Sequence, residues 1–238
     1  MKLYRIAFRN KLDLIASEGT RLIMEDFVKT MNPLVGHALP KNFWHSKYFE
    51  VQDYNISYCI SAKTGKDGGF GCTVGGYYSA LRNGVTIEIQ LGDLFDKIDY
   101  SRTFSLTRGV LRHEIQHYQD SNNNVKFPPK QYGARNRKRD YYDINTAKNT
   151  FLYMTDPSEI EPFVRGLMHL AKQVKKSFSM VLLAYIKSYF FGVKFFTEDS
   201  VTPIMRDIME NHPDIAQYPR DAFNMLMDKA QEIYGNVQ

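Results

Sequence analysis

Hydrophobic and polar residues alternate with two different periods along this chain. Over residues 48–62 and 77–91 the apolar positions recur at about every second residue, which is typical of strands with one buried face. Elsewhere they recur every three or four residues, which predicts amphipathic helices. The order of these patterns predicts an α+β fold, in which an N-terminal helix and a small mixed or antiparallel sheet precede a mostly helical C-terminal half.

The predicted helices have recognisable ends. The first covers residues 10–32 and stops at Asn32-Pro33. Three more are predicted in the C-terminal half, at Ser158 to Lys176, Phe178 to Phe191, and Arg220 to Tyr234 with Gly235 as the C-cap. Residues 34–47 and 125–140 are predicted to be loops, and the pattern leaves open the type of segment formed by residues 146–154.

The clearest local signal is a β-hairpin at Asn83-Gly84. Asn-Gly suits the tight turns that join antiparallel strands, and here it separates Tyr77–Leu81 from Val85–Leu91. In the second strand, branched apolar residues alternate with polar ones, so one face is expected in the core and the other in solvent or a cleft. A glycine-rich turn is expected just before the hairpin, at residues 64–71.

Composition indicates a globular protein. The chain has 238 residues, of which 43% are hydrophobic and 14% aromatic, and its net charge is +5. We expect one domain over residues 1–238, sheet-rich over 1–104, with a central helix over 105–120 and a helical part over 141–238. The two cysteines, Cys59 and Cys72, are expected to be reduced.

No stretch of the chain predicts export or insertion into a membrane. Charged residues interrupt the apolar positions at the start of the sequence, unlike a signal peptide. The most apolar stretch, Phe178 to Val193, contains Lys187 and is too short to span a bilayer. We therefore expect a cytoplasmic protein without membrane contact.

The candidate chemistry lies in the central helix. His113 and His117 are four residues apart, so both imidazoles project from one face and can bind one metal ion. Glu114 stands beside the first of them, where it can take a proton from water at that metal. This is the H-E-x-x-H pattern, and it predicts a zinc site with a general base.

The residues around the motif predict that it lies in the middle of an amphipathic helix. Leu111, Ile115 and Tyr118 form a stripe that is expected to be buried. Ser105 is the predicted N-cap, and a run of turn-forming residues after Asp120 ends the helix.

A catalytic zinc ion needs a third protein ligand, and Glu159 is the predicted one. The alternatives are Glu161 and two histidines in a predicted loop, His37 and His45. A proline is tolerated only in the first turn of a helix, so Pro162 predicts that the helix begins at about residue 158.

With Ser158 as the N-cap, Glu161 becomes its capping partner and an i, i+4 partner of Arg165. Glu159 instead lies at the edge of the buried face. Its stripe includes Gly166, which would let another helix approach closely. This assignment leaves Glu159 available as a ligand.

Together, His113, Glu114, His117 and Glu159 resemble the gluzincins, the zincin metallopeptidases whose third zinc ligand is glutamate. The likeness covers about residues 85–170 and is greatest to compact intracellular or phage-encoded metallopeptidases. It implies a zincin-like fold, a zinc ion on the two histidines and Glu159, and peptide hydrolysis with Glu114 as the general base. The host cytoplasm would be the setting for a phage-encoded member.

This chain departs from the family pattern at two positions. Pro162 stands where many relatives have alanine, and Phe163 stands where they have an aspartate that supports a ligand histidine. The support must then come from elsewhere, and Asp120 is one candidate. Tyr141, Tyr142 and Tyr153 are candidates for stabilising the oxyanion.

A protein or peptide is the expected substrate, bound as an added strand at the edge of Val85–Leu91. Two alternatives remain open. The chain could be a catalytically inactive zincin-like binding or virion structural protein. It could also be a protease that acts on nucleic-acid-associated proteins through the basic run Arg135–Arg139, although a solvated basic loop is the simpler interpretation of that run.

Overall fold

A computed structural model of the chain describes residues 11–40, 42–62, 72–92, 98–127, 141–191 and 203–236. These residues belong to two compact units, Met1–Val125 and Lys126–Gln238. The first unit contains the sheet and the second is helical, so the predicted α+β class is confirmed. The glycine-rich turn at 64–71 and the basic run at 135–139 lie outside the described residues, and the single-domain assignment stays a prediction.

The described part of the first unit contains two helices and four strands. They are α1 (Lys11–Met31), β1 (Trp44–Val51), β2 (Tyr54–Ala62), β3 (Cys72–Ser79), β4 (Gly84–Leu91) and α2 (Ile98–Asn122). Helix α1 confirms the prediction for residues 10–32, and a 3₁₀ turn containing Pro33 follows it. Strand β1 begins at Trp44, inside the segment that was predicted to be a loop.

The strands form one mixed sheet in the order β1-β2-β4-β3. Strands β1 and β2 are antiparallel, β2 and β4 are parallel, and β3 and β4 form the predicted hairpin. The turn before β4 contains Asn83 at φ 45°, a left-handed conformation that asparagine tolerates better than most residues. Cys59 and Cys72 are buried and free, and β4 separates their strands.

One face of the sheet packs against α1 and α2. It presents mainly large apolar side chains from the two central strands, namely Ile56, Tyr58, Ile60, Val85, Ile87 and Ile89. Gly19 lets α1 lie close to both β2 and α2, because a Cβ there would lie 2.7 Å from Ile56 Cδ1 and 2.9 Å from Leu111 Cδ2. Leu111, Ile115 and Tyr118 belong to this core, as predicted.

The second unit consists of helices in its described part. They are α3 (Ile144–Met154), α4 (Ile160–Val174), α5 (Phe178–Phe191), α6 (Pro203–Asn211) and α7 (Pro213–Tyr234). Their apolar faces meet in a core that includes Val164, Val181, Leu182, Ala216 and Leu226. Among the described residues, no helix has both the length and the apolar character needed to cross a membrane.

Two predicted helix starts are wrong. Helix α2 already includes Ile98, so Ser105 is not its N-cap. Thr103 and Thr107 extend the buried stripe of Leu111 towards the N-terminus, and their polar type conceals that stripe from a hydrophobic pattern. Helix α7 begins at Pro213 and contains Pro219, although a proline in a helix interior normally costs a hydrogen bond and marks a boundary.

Candidate metal centre

The two histidines of the motif converge on a common point. Both project from α2, and their Nε2 atoms lie 3.1 Å apart. When two nitrogens bind the same tetrahedral zinc ion at about 2.05 Å, they lie about 3.3 Å from each other. The pair therefore has the separation that zinc ligation requires, and the ring planes differ by 75°, so the rings are not stacked.

Glu114 lies on the same helix, beside the first histidine. Its Oε1 atom is 4.0 Å from His113 Nε2, and its side chain is buried. It leaves α2 towards β3, where Gly76 provides the space: a Cβ at position 76 would lie 3.0 Å from Glu114 Cγ. If His113 held a metal ion, a buried carboxylate at this distance from its nitrogen could exchange protons with water at that ion.

A hydrogen-bond network that the sequence did not reveal runs along α2 next to the motif. Arg112 is fully buried, and its Nε donates to Asp13 Oδ1 of α1 at 2.7 Å. Its guanidinium also donates to Gln116 Oε1 at 3.2 and 3.3 Å, and Gln116 Nε2 donates to Asp120 Oδ1 at 2.8 Å. Moving Arg112 away from Asp13 would leave a buried cation without its partner. The network therefore holds α2 in a fixed rotation against α1.

Glu159 is buried at the N-cap position of α4, directly before Ile160. The turn that presents it is organised by Asp156, whose Oδ1 accepts a hydrogen bond from Ser158 N at 2.8 Å and a second from the Ser158 hydroxyl. The carbonyl of Asp156 accepts from Glu159 N at 2.8 Å. A buried aspartate thus fixes the backbone on which the predicted ligand stands.

The structure contradicts the role predicted for Ser158 and confirms the ion pair predicted for Glu161. Ser158 is not the N-cap of α4, because the helix begins one residue later and the Ser158 hydroxyl bonds to Asp156 instead. Glu161 accepts from Arg165 Nε at 2.7 Å, as the i, i+4 spacing predicted. Pro162 lies in the first turn of α4, which confirms the argument that located the helix start.

Three of the predicted site residues form a group that could hold a metal ion. One ligand atom from each of His113, His117 and Glu159 lies within 4.8 Å of the other two. No other group of three such side chains occurs in the described part of the chain. Two imidazoles and one carboxylate form a donor set that suits zinc.

The two alternative histidines are not members of this cluster. His37 is exposed after the 3₁₀ turn. His45 lies in β1, with its Nε2 2.8 Å from Asp26 Oδ2. Asp26 also accepts from Lys47 Nζ at 2.6 Å and from Tyr58 at 2.5 Å, so His45 belongs to a polar cluster that ties α1 to the sheet.

The tyrosine candidates for oxyanion stabilisation all lie in the second unit. The hydroxyl of Tyr142 donates to Asp207 Oδ2 at 2.9 Å, and this hydrogen bond raises the pKa of Tyr142. The ring of Tyr153 contacts Phe163 edge-on, with 5.3 Å between centroids. A catalytic role for any of them, including Tyr141, stays a prediction.

The chain finds no match among known protein families, characterised proteins or solved structures.

Proposed function

We propose that this chain is a zinc-dependent metallopeptidase with a zincin-like active site. The observation that carries the proposal is the cluster of His113, His117 and Glu159, whose ligand atoms lie within 4.8 Å of one another. Three protein ligands of these types are what a catalytic zinc ion takes when a fourth position is kept for water or substrate. A purely structural site would have no use for the buried carboxylate of Glu114 beside it.

When bound, zinc supplies a Lewis acid that polarises a carbonyl group and makes water acidic near neutral pH. The residues of the chain supply the proton transfers. Glu114 accepts the proton of the attacking water and delivers it to the amine that leaves when the peptide bond breaks. Its burial restricts exchange with bulk solvent, and the close packing at Gly76 limits the directions in which its side chain can turn.

The site at which the substrate is added to the sheet differs from the one expected from the sequence. Strand β4 cannot accept a peptide, since β2 occupies one of its edges and β3 the other. The parallel pairing of β2 with β4 places β4 inside the sheet, and hydrophobic alternation in the sequence does not reveal that pairing. We assign the role to β3, which is an edge strand among the described residues and which contacts α2 at Glu114.

The test is cleavage of an unfolded protein substrate, such as fluorescently labelled casein, by the purified full chain. Cleavage that stops with 1,10-phenanthroline and returns with added zinc, at about one zinc per chain, is the expected result. Metal content is measured on the same sample. A folded chain that binds zinc but cleaves nothing would contradict the peptidase, and a chain that binds no metal would favour the inactive zincin-like binding or virion protein.

A further inference from the structure

The face of the sheet opposite α1 and α2 carries exposed aromatic side chains. Trp44 is 65% exposed, Tyr48 is 57% exposed and Tyr77 is 42% exposed. The strand register places Tyr48 and Tyr77 in one row, on the two edge strands, and Trp44 lies four residues from Tyr48 along β1. At about 4.8 Å between strands and about 3.3 Å per residue, the backbones of Tyr48 and Tyr77 lie roughly 14 Å apart and those of Trp44 and Tyr48 roughly 13 Å apart, so Trp44 and Tyr77 are roughly 20 Å apart along the diagonal.

Between these rings the face is polar. It presents hydroxyl and amide groups from three strands, namely Asn55, Ser57, Ser61, Thr73, Thr86 and Gln90. Ser57 and Thr86 stand between the two tyrosines of the row, and their hydroxyl oxygens lie 2.9 Å apart. We call this surface, from Trp44 and Tyr48 to Tyr77, the open sheet face.

One ring of the open sheet face is held in place. The hydroxyl of Tyr48 donates to Asn55 Oδ1, and Asn55 Nδ2 donates to the carbonyl of Asn83 at 3.1 Å. A tyrosine tied to a strand and a turn keeps its ring orientation without a ligand. A ligand that stacks on it therefore loses less free energy in ordering the side chain.

The charges and the polarity of this face argue against two classes of partner, nucleic acids and other proteins. The strand residues that point to it include Glu50 and Glu88, and none of them is lysine or arginine. A surface that binds single-stranded nucleic acid combines aromatic rings with cations for the phosphates, so phosphates would be repelled here. A stable protein interface has an apolar centre, whereas the accessible side chains at the centre of this face are the polar Ser57 and Glu88, and its apolar member, Cys59, is buried.

We infer that the open sheet face binds a neutral carbohydrate chain. The C–H faces of sugar rings carry partial positive charge and stack on the negative faces of the aromatic rings Trp44, Tyr48 and Tyr77. Hydroxyl groups of a sugar both donate and accept, so they match the partly or fully exposed side chains of Ser57, Ser61 and Gln90 and the carboxylate of Glu88. The inference does not depend on the metal centre, because none of these residues is a proposed ligand.

The test is calorimetric titration of the full chain with three neutral oligosaccharides: cellohexaose, chitohexaose and maltohexaose. Saturable binding of at least one of them is expected. Trp44→Ala and Tyr77→Ala should each weaken that binding by about two- to tenfold. The matched control is Tyr142→Ala, which removes a similarly exposed tyrosine from the second unit and should leave the affinity unchanged.

Two further measurements can overturn the inference. Circular dichroism and urea unfolding verify that each variant is folded, so a loss of sugar binding is not mistaken for unfolding. The inference fails if the folded chain binds none of the three sugars, or if Trp44→Ala and Tyr77→Ala bind as well as the parent. It also fails if oligouridine binds instead and loses affinity in these two variants, since the face would then stack bases.

Discussion

Gly76 of β3 and Glu114 of α2 lie so close together that a side chain at position 76 would crowd Glu114. A Cβ at position 76 would be 3.0 Å from Glu114 Cγ, 2.8 Å from Val110 Cγ1 and 3.1 Å from Ile87 Cδ1. The absence of a side chain on one strand residue therefore sets the distance between the edge of the sheet and the candidate general base. In the proposed mode of substrate binding, that distance decides how near an added peptide strand would come to Glu114.

Replacing Gly76 with alanine should damage both stability and activity. Overpacking at three contacts is expected to lower the free energy of unfolding by about 1–3 kcal/mol and to displace Glu114. Gly75→Ala is the matched control, because a Cβ there meets nothing within 4 Å. Urea unfolding and casein cleavage check both variants, and equal stability of the two would show that β3 and α2 separate without cost.

Glu114→Gln should abolish cleavage while zinc stays bound. Glutamine keeps the size of the side chain but cannot act as a base at neutral pH. Metal analysis and the casein assay on the same preparation measure the two properties separately. Parallel loss of zinc and activity would assign Glu114 to metal binding rather than to proton transfer.

Glu159→Ala should weaken zinc binding by about 100-fold or more, because it removes the proposed third ligand. Glu161→Ala is the control two residues away. It breaks only the ion pair with the partly exposed Arg165, which costs about 0.5 kcal/mol or less. Zinc titration of both variants decides the assignment, and the opposite ranking would make Glu161 the ligand.

Asp156→Ala should also weaken zinc binding, by about 10–100-fold, although Asp156 is not a proposed ligand. The change removes the acceptor for Ser158 N, so the turn before Glu159 loses its order. Asp156→Asn keeps an acceptor oxygen at that position and should restore the affinity. If asparagine is as damaging as alanine, the negative charge of Asp156 matters rather than the turn.

Asp26→Asn should reduce stability at pH 5 more than at pH 3. Burial raises the pKa of Asp26, but hydrogen bonds from Lys47, Tyr58 and His45 outweigh burial and lower it to about 2. A carboxyl group whose pKa is lowered on folding stabilises the protein above its ordinary pKa of 3.8. That contribution is lost as the pH falls towards 2. Urea unfolding at both pH values measures it, and a difference independent of pH would remove Asp26 from the acid response.

Local features of the sequence predicted much of the fold. The bounds of α5 were predicted at Phe178 and Phe191, because a long apolar run is interrupted at both ends. The hairpin followed from Asn83-Gly84, whose turn chemistry depends on two residues only. Pro162 located the start of α4 to within two residues, since the ring of proline restricts where a helix can begin.

Features that depend on distant partners could not be predicted in this way. The burial of Arg112 requires Asp13, which lies 99 positions away. The place of β4 between β2 and β3 depends on which strands pair, and alternation shows only which face of a strand is buried. The role of Asp156 in ordering the turn before α4 could have been predicted, because an aspartate side chain often accepts a hydrogen bond from the backbone two residues further on.

The parallel pairing of β2 with β4 also determines the order in which the first unit can assemble during synthesis. Strands β1 and β2 can pair as soon as residue 62 is made, but one edge of β2 then has no strand beside it. Its partner, β4, is completed only at Leu91, and α2, which covers the same face, ends at Asn122. The unpaired edge of β2 therefore persists for about 30 residues of translation, until Leu91 is made. The apolar side chains of Ile56, Tyr58 and Ile60 lack part of their cover for about 60 residues, until Asn122 is made, so the nascent chain is prone to aggregate over this interval.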